Sequence, residues 1–488
     1  MSGNAKFRFL NEERQLRFPE DWQAPGASRL WLYNLHYFED LCAIGSSARR
    51  AWHTQLMQRW IAENPPRRGV GWESYPLSLR IVNWIKWAMD GNPPGDELCA
   101  SLATQVRYLR RRLEYHLLGN HLFSNAKALV FAGAFFSGPE AAGWFDQGMR
   151  LIDKLLGEQV LADGAHFELS PMYHALALED LLDLINIGSA CGMAVPANWR
   201  DTAPRMFDWL RAMCHPDGGI AFFNDAALGL APTLCELKRY AADLGVPVVA
   251  RGRASLPAAS GYVRMEAGAA VLIADCAAIG PDYLPAHGHA DSLSFELSLQ
   301  SRRVLVNSGT SIYAGGPLRQ AQRGTAAHNT LRLDGRDSSD VWAEFRVARR
   351  ARTQLELGPD PLQGLLQASH DGYRHLSGAA RHRRRWQLGL DELNIFDSVE
   401  GKGYHRVECF LHFHPDWSVR MQAADCYIVR SADAALVFEL SVDPKLGWYL
   451  EEDAWYPEFG RKVTNVRLRG DYQGRLPLQF ETRLTWRG

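Results

Sequence analysis

The feature that most constrains this chain is a change of hydrophobic period part-way along it. From about residue 30 to 244, apolar side chains recur every three or four positions, as in Leu77, Ile81, Trp84, Ile85 and Ala88 behind the entry Ser74-Tyr75-Pro76. That spacing places one apolar face along a helix. Further stretches of this kind cover 31–41, 102–118, 124–136, 149–161, 173–187 and 202–213. Gly and Pro punctuate the gaps, at Pro65-Pro66, Gly91-Asn92-Pro93-Pro94-Gly95 and His215-Pro216-Asp217-Gly218-Gly219, so serial helical hairpins are expected. Past Gly245-Val246-Pro247 and Leu256-Pro257-Ala258 the period drops to two. Leu293, Phe295, Leu297 and Leu299 alternate with polar or small residues, Val407, Cys409, Leu411 and Phe413 do the same, and 435–440 continues the pattern. Strands with one apolar face predict antiparallel sheets packed as a sandwich. The expected organisation is multidomain, α then β: an N-terminal extension over 1–30, a helical domain over 31–250 and an antiparallel β-sandwich over 251–488.

A chain of 488 residues exceeds the roughly 250–300 at which one core stops growing, which also asks for two domains. Hydrophobic residues at 47% exclude a mostly disordered chain. A formal net charge of −1 gives no global reason to bind nucleic acid or a membrane surface, so an anionic ligand must meet a local basic cleft. The eight cysteines, at 42, 99, 191, 214, 235, 276, 409 and 426, contain no C-x-x-C pair and read mainly as buried thiols. The start of the chain lacks the apolar segment of a secretory signal, and no apolar run approaches the roughly 20 residues of a membrane span. Its absence makes the cytoplasm the expected compartment, or the periplasm for a chain already trimmed of a signal. The oligomeric state is left open.

The densest polar cluster is His287-Gly288-His289-Ala290-Asp291, followed by Asn307-Ser308-Gly309-Thr310 and His328-Asn329-Thr330. In an extended backbone His287 and His289 face the same side, so both can reach one cleft, and Gly288 admits a close neighbour. One imidazole could bind metal and the other meet substrate; a polar loop whose imidazoles bond only to backbone is the alternative. A second cluster lies in the helical half: Gly119-Asn120-His121-Leu122-Phe123-Ser124-Asn125 and Phe167-Glu168-Leu169-Ser170-Pro171-Met172-Tyr173-His174. Asn120 and His121 can donate to a carboxylate, and Tyr173 is a proton-transfer residue if a cation lowers its pKa from about 10. As isolated fragments these also suit helix caps and satisfied core polar groups.

In combination, Asn120-His121, Tyr173 about fifty residues on, His287-Gly-His289-Ala-Asp291, Asn307-x-Gly-Thr and His328-Asn-Thr-Leu resemble the heparinase II/III-like superfamily of polysaccharide lyases, which includes related alginate lyases. Trp31-Leu32-Tyr33-Asn34-Leu35-His36-Tyr37 and Gly71-Trp72-Glu73-Ser74-Tyr75-Pro76 resemble a branch found among bacterial surface-polysaccharide gene products. The resemblance implies an incomplete (α/α) toroid before the sandwich, with the active site where the two meet. It implies an anionic polysaccharide or oligosaccharide substrate, cleaved by β-elimination: the C5 proton of a uronate is removed and the oxygen leaving C4 is protonated. Asn120 and His121 match the family's carboxylate-neutralising pair, Tyr173 its acid/base tyrosine and His287 the second catalytic group. Donors aimed at the carboxylate stabilise the charge where it accumulates. The family's metal positions fall on His289, Asn307 and His328, where asparagine replaces the usual aspartate. A neutral amide is a poorer zinc ligand, so the resemblance implies either a structural or orienting Zn2+ held with weakened affinity or a vacant site.

Four residues are assigned supporting roles. Arg323 could pair with a substrate carboxylate as a planar fork, Glu168 could orient a neighbouring base, Tyr313 could line the cleft, and Trp72 could stack on a sugar ring. The run Arg381-His382-Arg383-Arg384-Arg385 fits a solvated sheet face better than a polyanion site. Two other functions share the chemistry or the fold: a uronate C5-epimerase that reprotonates the same carbanion, and a catalytically weakened polysaccharide-binding or assembly protein. No carboxylate pair stands out for glycoside hydrolysis, and phosphate-loop and dinucleotide fingerprints are absent.

Overall fold

The computed structural model describes residues 5–248, 259–360 and 364–486. Helices dominate up to residue 243, and antiparallel strands follow from Tyr262 onward. The chain forms two compact units: Met1–Gln159 with Glu179–Asp201, and Val160–Leu178 with Thr202–Gly488. This division differs from a single cut at 250, a position that lies outside the described residues. Part of the helical half, including Tyr173, groups with the strands instead.

In the first unit, residues 5–30 are not a separate extension. Lys6–Phe9 and Glu12–Gln15 pair as a hairpin, and Phe7 is buried against Phe9, Phe18 and Trp52. The helix Ser74–Met89 buries the predicted stripe of Leu77, Ile81, Trp84 and Ile85. Its Arg80 is fully buried, its guanidinium lying 3.8 Å from the Trp60 ring centre and donating to Gln105 Oε1 and to the carbonyls of His36 and Gly71. Trp72 joins this core, its indole N–H bonded to Asn64 O. Helices Gly119–Phe135 and Pro139–Gln159 pack closely. A Cβ on Gly133 would stand 2.6 Å from Phe145 N, and one on Gly148 2.9 Å from Ala126 O. The helix expected over 102–118 stops early, at Arg110. Beyond it, Glu114 N–H donates to the Asn125 side chain rather than to a helical carbonyl, so a tertiary bond overrides local periodicity.

The second unit contains one eight-stranded and two four-stranded antiparallel sheets among the described residues. The eight-stranded sheet runs in the order Thr353–Asp360, Leu365–His370, Arg381–Leu388, Glu392–Glu400, Leu478–Trp486, Val437–Val442, Cys426–Ser431, Trp417–Ala423. Strands from all three larger sheets share a single apolar core that includes Leu297, Leu331, Trp386, Leu411 and Leu468. Arg381–Leu388 alternates strictly: His382, Arg384 and Trp386 point inward and Arg381, Arg383 and Arg385 outward. Arg381 and Arg383 pair with Glu356, and Arg383 also with Glu400, as a solvated face requires. The buried Arg384 instead grips Asp397 and the carbonyls of Leu293 and Asn329.

No helix among the described residues is long and apolar enough to cross a membrane. The cysteines are free thiols, but Cys42, Cys191 and Cys235 are exposed, so only Cys214, Cys276 and Cys409 fit the buried reading.

Candidate active site

The site in the second unit is organised by a residue the sequence reading did not single out. Asp225 follows the apolar run Ile220–Phe223 and is fully buried. Its carboxylate accepts from His287 Nδ1 at 2.9 Å, from His289 Nε2 at 3.0 Å, and from both terminal nitrogens of Arg319, Nη2 at 2.7 Å. Burial alone would raise the carboxyl's pKa, but Arg319 and the two imidazole bonds hold it well below the usual carboxylate range. Backbone bonds fix the arrangement. Asp225 N–H donates to His287 O, and Asn224 Oδ1 accepts from His289 N–H. Asn224 adopts a left-handed φ of 56°, which asparagine tolerates better than most residues. Gly288 has the close neighbour its position suggested: a Cβ there would lie 2.4 Å from the Ile279 side chain.

Tyr173 reaches this cluster from the first turn of the helix Pro171–Ala190. Ser170 and Pro171 form a natural helix start, with Ser170 Oγ accepting from Tyr173 N–H. The same hydroxyl donates to Asp225 O, so one side chain ties the tyrosine's helix to the carboxylate's segment. The Tyr173 ring stacks on His287 with centres 3.9 Å apart and planes inclined by 29°. Its hydroxyl lies 3.0 Å from that of Tyr313, whose own pKa burial drives well above the ordinary phenol value. Because His287 Nδ1 faces Asp225, that nitrogen carries the proton, and Nε2 is left with a lone pair able to accept one. Glu168 is buried with Oε2 3.8 Å from this Nε2, beyond hydrogen-bond reach.

Asn120 and His121 lie in the other unit, on the first turn of Gly119–Phe135, both partly exposed. No side chain caps this helix start, and its dipole favours negative charge there.

Two expected substrate contacts are placed elsewhere. Arg323 is fully buried; its guanidinium donates to Gly288 O and to the carbonyls of Trp342, Ala343, Glu344 and Arg346. With these partners it holds backbone rather than a substrate carboxylate, and desolvation lowers its pKa to about 10. Trp72 is a core residue with no ring face for a sugar. Arg319, unnoticed in the sequence, takes the buried ionic role.

The three expected metal positions do meet, in part. His289 Nδ1 and His328 Nε2 face each other at 3.3 Å. With His289 Nε2–H on Asp225, its Nδ1 accepts and His328 Nε2–H donates. Burial keeps both imidazoles neutral, driving His289 down to about 4 and His328 well below its ordinary value. Asn307 is different: its amide donates to Phe222 O at 2.9 Å and accepts from Asn329 N–H at 3.3 Å. Among the described residues no group of three or more His, Cys, Asp or Glu is arranged to hold a metal. The two imidazoles bond to each other and the Asn307 amide bonds to backbone, so these residues do not form a zinc-holding set, and no step below passes through a metal.

The pattern of the family described as Heparinase II/III N-terminus matches residues 45–242, and that described as Heparinase II/III-like, C-terminal, matches 250–487. The chain is 27% identical over 471 residues to FtsZ-localized protein C of Caulobacter vibrioides, covering 89% of this chain and 76% of that one. It is 27% identical over 250 residues to a heparin-sulfate lyase of Bacteroides stercoris, covering 46% of this chain but only 37% of that enzyme. The chain thus spans well under two thirds of this lyase's length. A crystal structure of heparinase III superposes with a TM-score of 0.79 over 98% of this chain and 80% of that one, at 18% identity. The heparan sulfate lyase of Pedobacter heparinus gives 0.65 over 99% and 81%, also at 18%. At such identity these structures speak for a shared fold, a helical domain followed by antiparallel sheets. With family patterns matching both halves in order, the chain belongs to the heparinase II/III-like superfamily.

Proposed function

We infer that this chain is a polysaccharide lyase that cleaves a uronate-containing polymer by β-elimination. The observation that carries the reading is the stacking of Tyr173 on His287, with His287 Nδ1 tied to a buried, ionised Asp225. On these stacked rings His287 offers a lone pair at Nε2 and Tyr173 a phenolic proton, the base and the acid that elimination asks for. One of the two takes the C5 proton. The C5–H electrons form the C4–C5 double bond, the C4–O bond breaks, and the departing oxygen receives a proton. The sugar epimer decides which residue acts first. Asp225 holds the imidazole in one tautomer, and Arg319 keeps the carboxylate charged. Asn120 and His121 are assigned to the substrate carboxylate on residue type and family position.

A weakened binding or assembly protein is the second reading. FtsZ-localized protein C matches 89% of this chain, against 46% for the Bacteroides stercoris lyase, and that favours it. Incubation with a panel of uronate polymers distinguishes the two. A lyase generates the ultraviolet absorbance of a C4–C5 unsaturated uronate; folded protein that binds a polymer without producing it supports the second. Deuterium entering C5 from heavy water without cleavage indicates epimerisation.

A further inference from the structure

The mechanism above gives no role to Glu114, a buried carboxylate of the helical unit. Glu114 sits in the segment between Asp96–Arg110 and Gly119–Phe135 and is only 8% exposed. Its Oε1 lies 3.1 Å from His121 Nδ1. Its Oε2 accepts from Asn125 Nδ2 at 3.0 Å, while its own backbone N–H donates to Asn125 Oδ1 at 2.8 Å. Asn125 is fully buried and also donates to Ser78 Oγ at 3.0 Å, and Ser78 Oγ in turn donates to Ser74 O. Every polar atom of the Asn125 amide is thus engaged in holding Glu114 or anchoring it to the helix Ser74–Met89. The Tyr75 ring, from the same helix, lies against His121 with centres 4.4 Å apart. The imidazole is fixed on one face and at one nitrogen, while its side chain stays about 30% exposed.

We propose that Glu114 is a positioning residue for His121. It holds a proton on Nδ1 and leaves Nε2 to take a second one, so that the imidazolium formed with substrate bound donates its Nε2–H to the uronate carboxylate, with Asn125 and Tyr75 holding the pair in place. A carboxylate bound to the far nitrogen of an imidazole sets both tautomer and ring orientation. The early stop of the preceding helix at Arg110 has a physical purpose in this light. The chain leaves the helix where Glu114 N–H and side chain can both meet Asn125, and a helix continued through 118 would turn them elsewhere. The proposal rests on the assignment of His121 to the substrate carboxylate, and it adds the residue through which that imidazole is oriented.

Nitrogen-15 NMR of the histidine side chains tests the orientation without any substrate. In the wild-type protein the His121 Nδ1 should be the protonated nitrogen, with its signal moved in Glu114→Gln and the other histidine signals unchanged. A His121 protonated only at Nε2 in the wild type would overturn the proposal. Kinetics on a cleaved polymer test the consequence. Glu114→Gln should lower kcat roughly tenfold or more, because misplacing a reacting group costs rate. In a His121→Ala background the same substitution should add less than about twofold, since it acts through an imidazole no longer present. Effects that multiply in the double variant would mean a structural role and overturn the proposal. If His121→Ala alone kept wild-type activity, the assignment of His121 would fail instead, and the NMR result would still stand on its own.

Discussion

At the scale of single residues, the account turns on charge compensation around Asp225. Four donor atoms on His287, His289 and Arg319 converge on this carboxylate, two of them from the arginine, and it is fully buried. Asp225→Ala leaves the buried Arg319 without its counter-ion, which should cost about 3–5 kcal/mol in chemical denaturation. Asp225→Asn keeps the shape but lets the amide favour the wrong His287 tautomer. Its rate should fall about 10²-fold or more with a smaller loss of stability. Equal activity in wild type and Asp225→Asn would separate His287 from the chemistry. The residues of the site differed in how readable they were. Tyr173 and His287 stood inside a recognisable motif order, and the structure stacks them. Asp225 lay behind Phe222-Phe223-Asn224 with no motif; its signal was an acid ending an apolar run, which becomes meaningful only beside two histidines. Arg323 was misjudged because sequence shows a guanidinium's donors but not whether they meet a ligand or five carbonyls.

At the scale of elements, periodicity was the reliable guide and termination was not. The stripe of Ser74–Met89 and the alternation of Arg381–Leu388 follow from residue order, because burial on one face is a local pattern. The end of Asp96–Arg110 follows from Asn125, far along the chain, and no local signal marks it. The strand Arg381–Leu388 offers a test of the same rule within three residues. Arg383→Ala removes partly exposed pairs with Glu356 and Glu400 and should change stability by less than about 1 kcal/mol. Arg384→Ala strands the buried Asp397 and should cost about 3–5 kcal/mol. Urea unfolding of both variants measures the difference, and equal losses would contradict the alternation.

At the scale of the whole molecule, both compact units bury neutral histidines. His36 in one unit, and His166 and His174 in the other, are each driven down to about 3, chiefly by burial. Unfolded, these imidazoles take up protons near their ordinary pKa of about 6.5; folded, they resist until about 3. Between those values the unfolded chain binds more protons, so stability present above about pH 6.5 is lost as pH falls toward 3. Each histidine contributes up to about 1.4 kcal/mol per pH unit in that window. Thermal unfolding should therefore show Tm dropping steadily below about pH 6.5, and a Tm flat between 6.5 and 4 would contradict it. The fold, helices and then antiparallel sheets, was legible because the change of period spans the chain; the grouping of 160–178 with the strands was not, since it depends on contacts made across sequence. The central claim is that Tyr173 and His287 carry out elimination together. The measurement that tests it most directly is the initial rate of C4–C5 unsaturated product from a cleaved uronate polymer, for wild type, Tyr173→Phe and His287→Ala, each verified as folded by near-ultraviolet circular dichroism. The account predicts product from the wild type and rates lower by about 10²-fold or more in both variants. Either variant cleaving at the wild-type rate, or a folded wild type yielding no product on any uronate polymer, would contradict it.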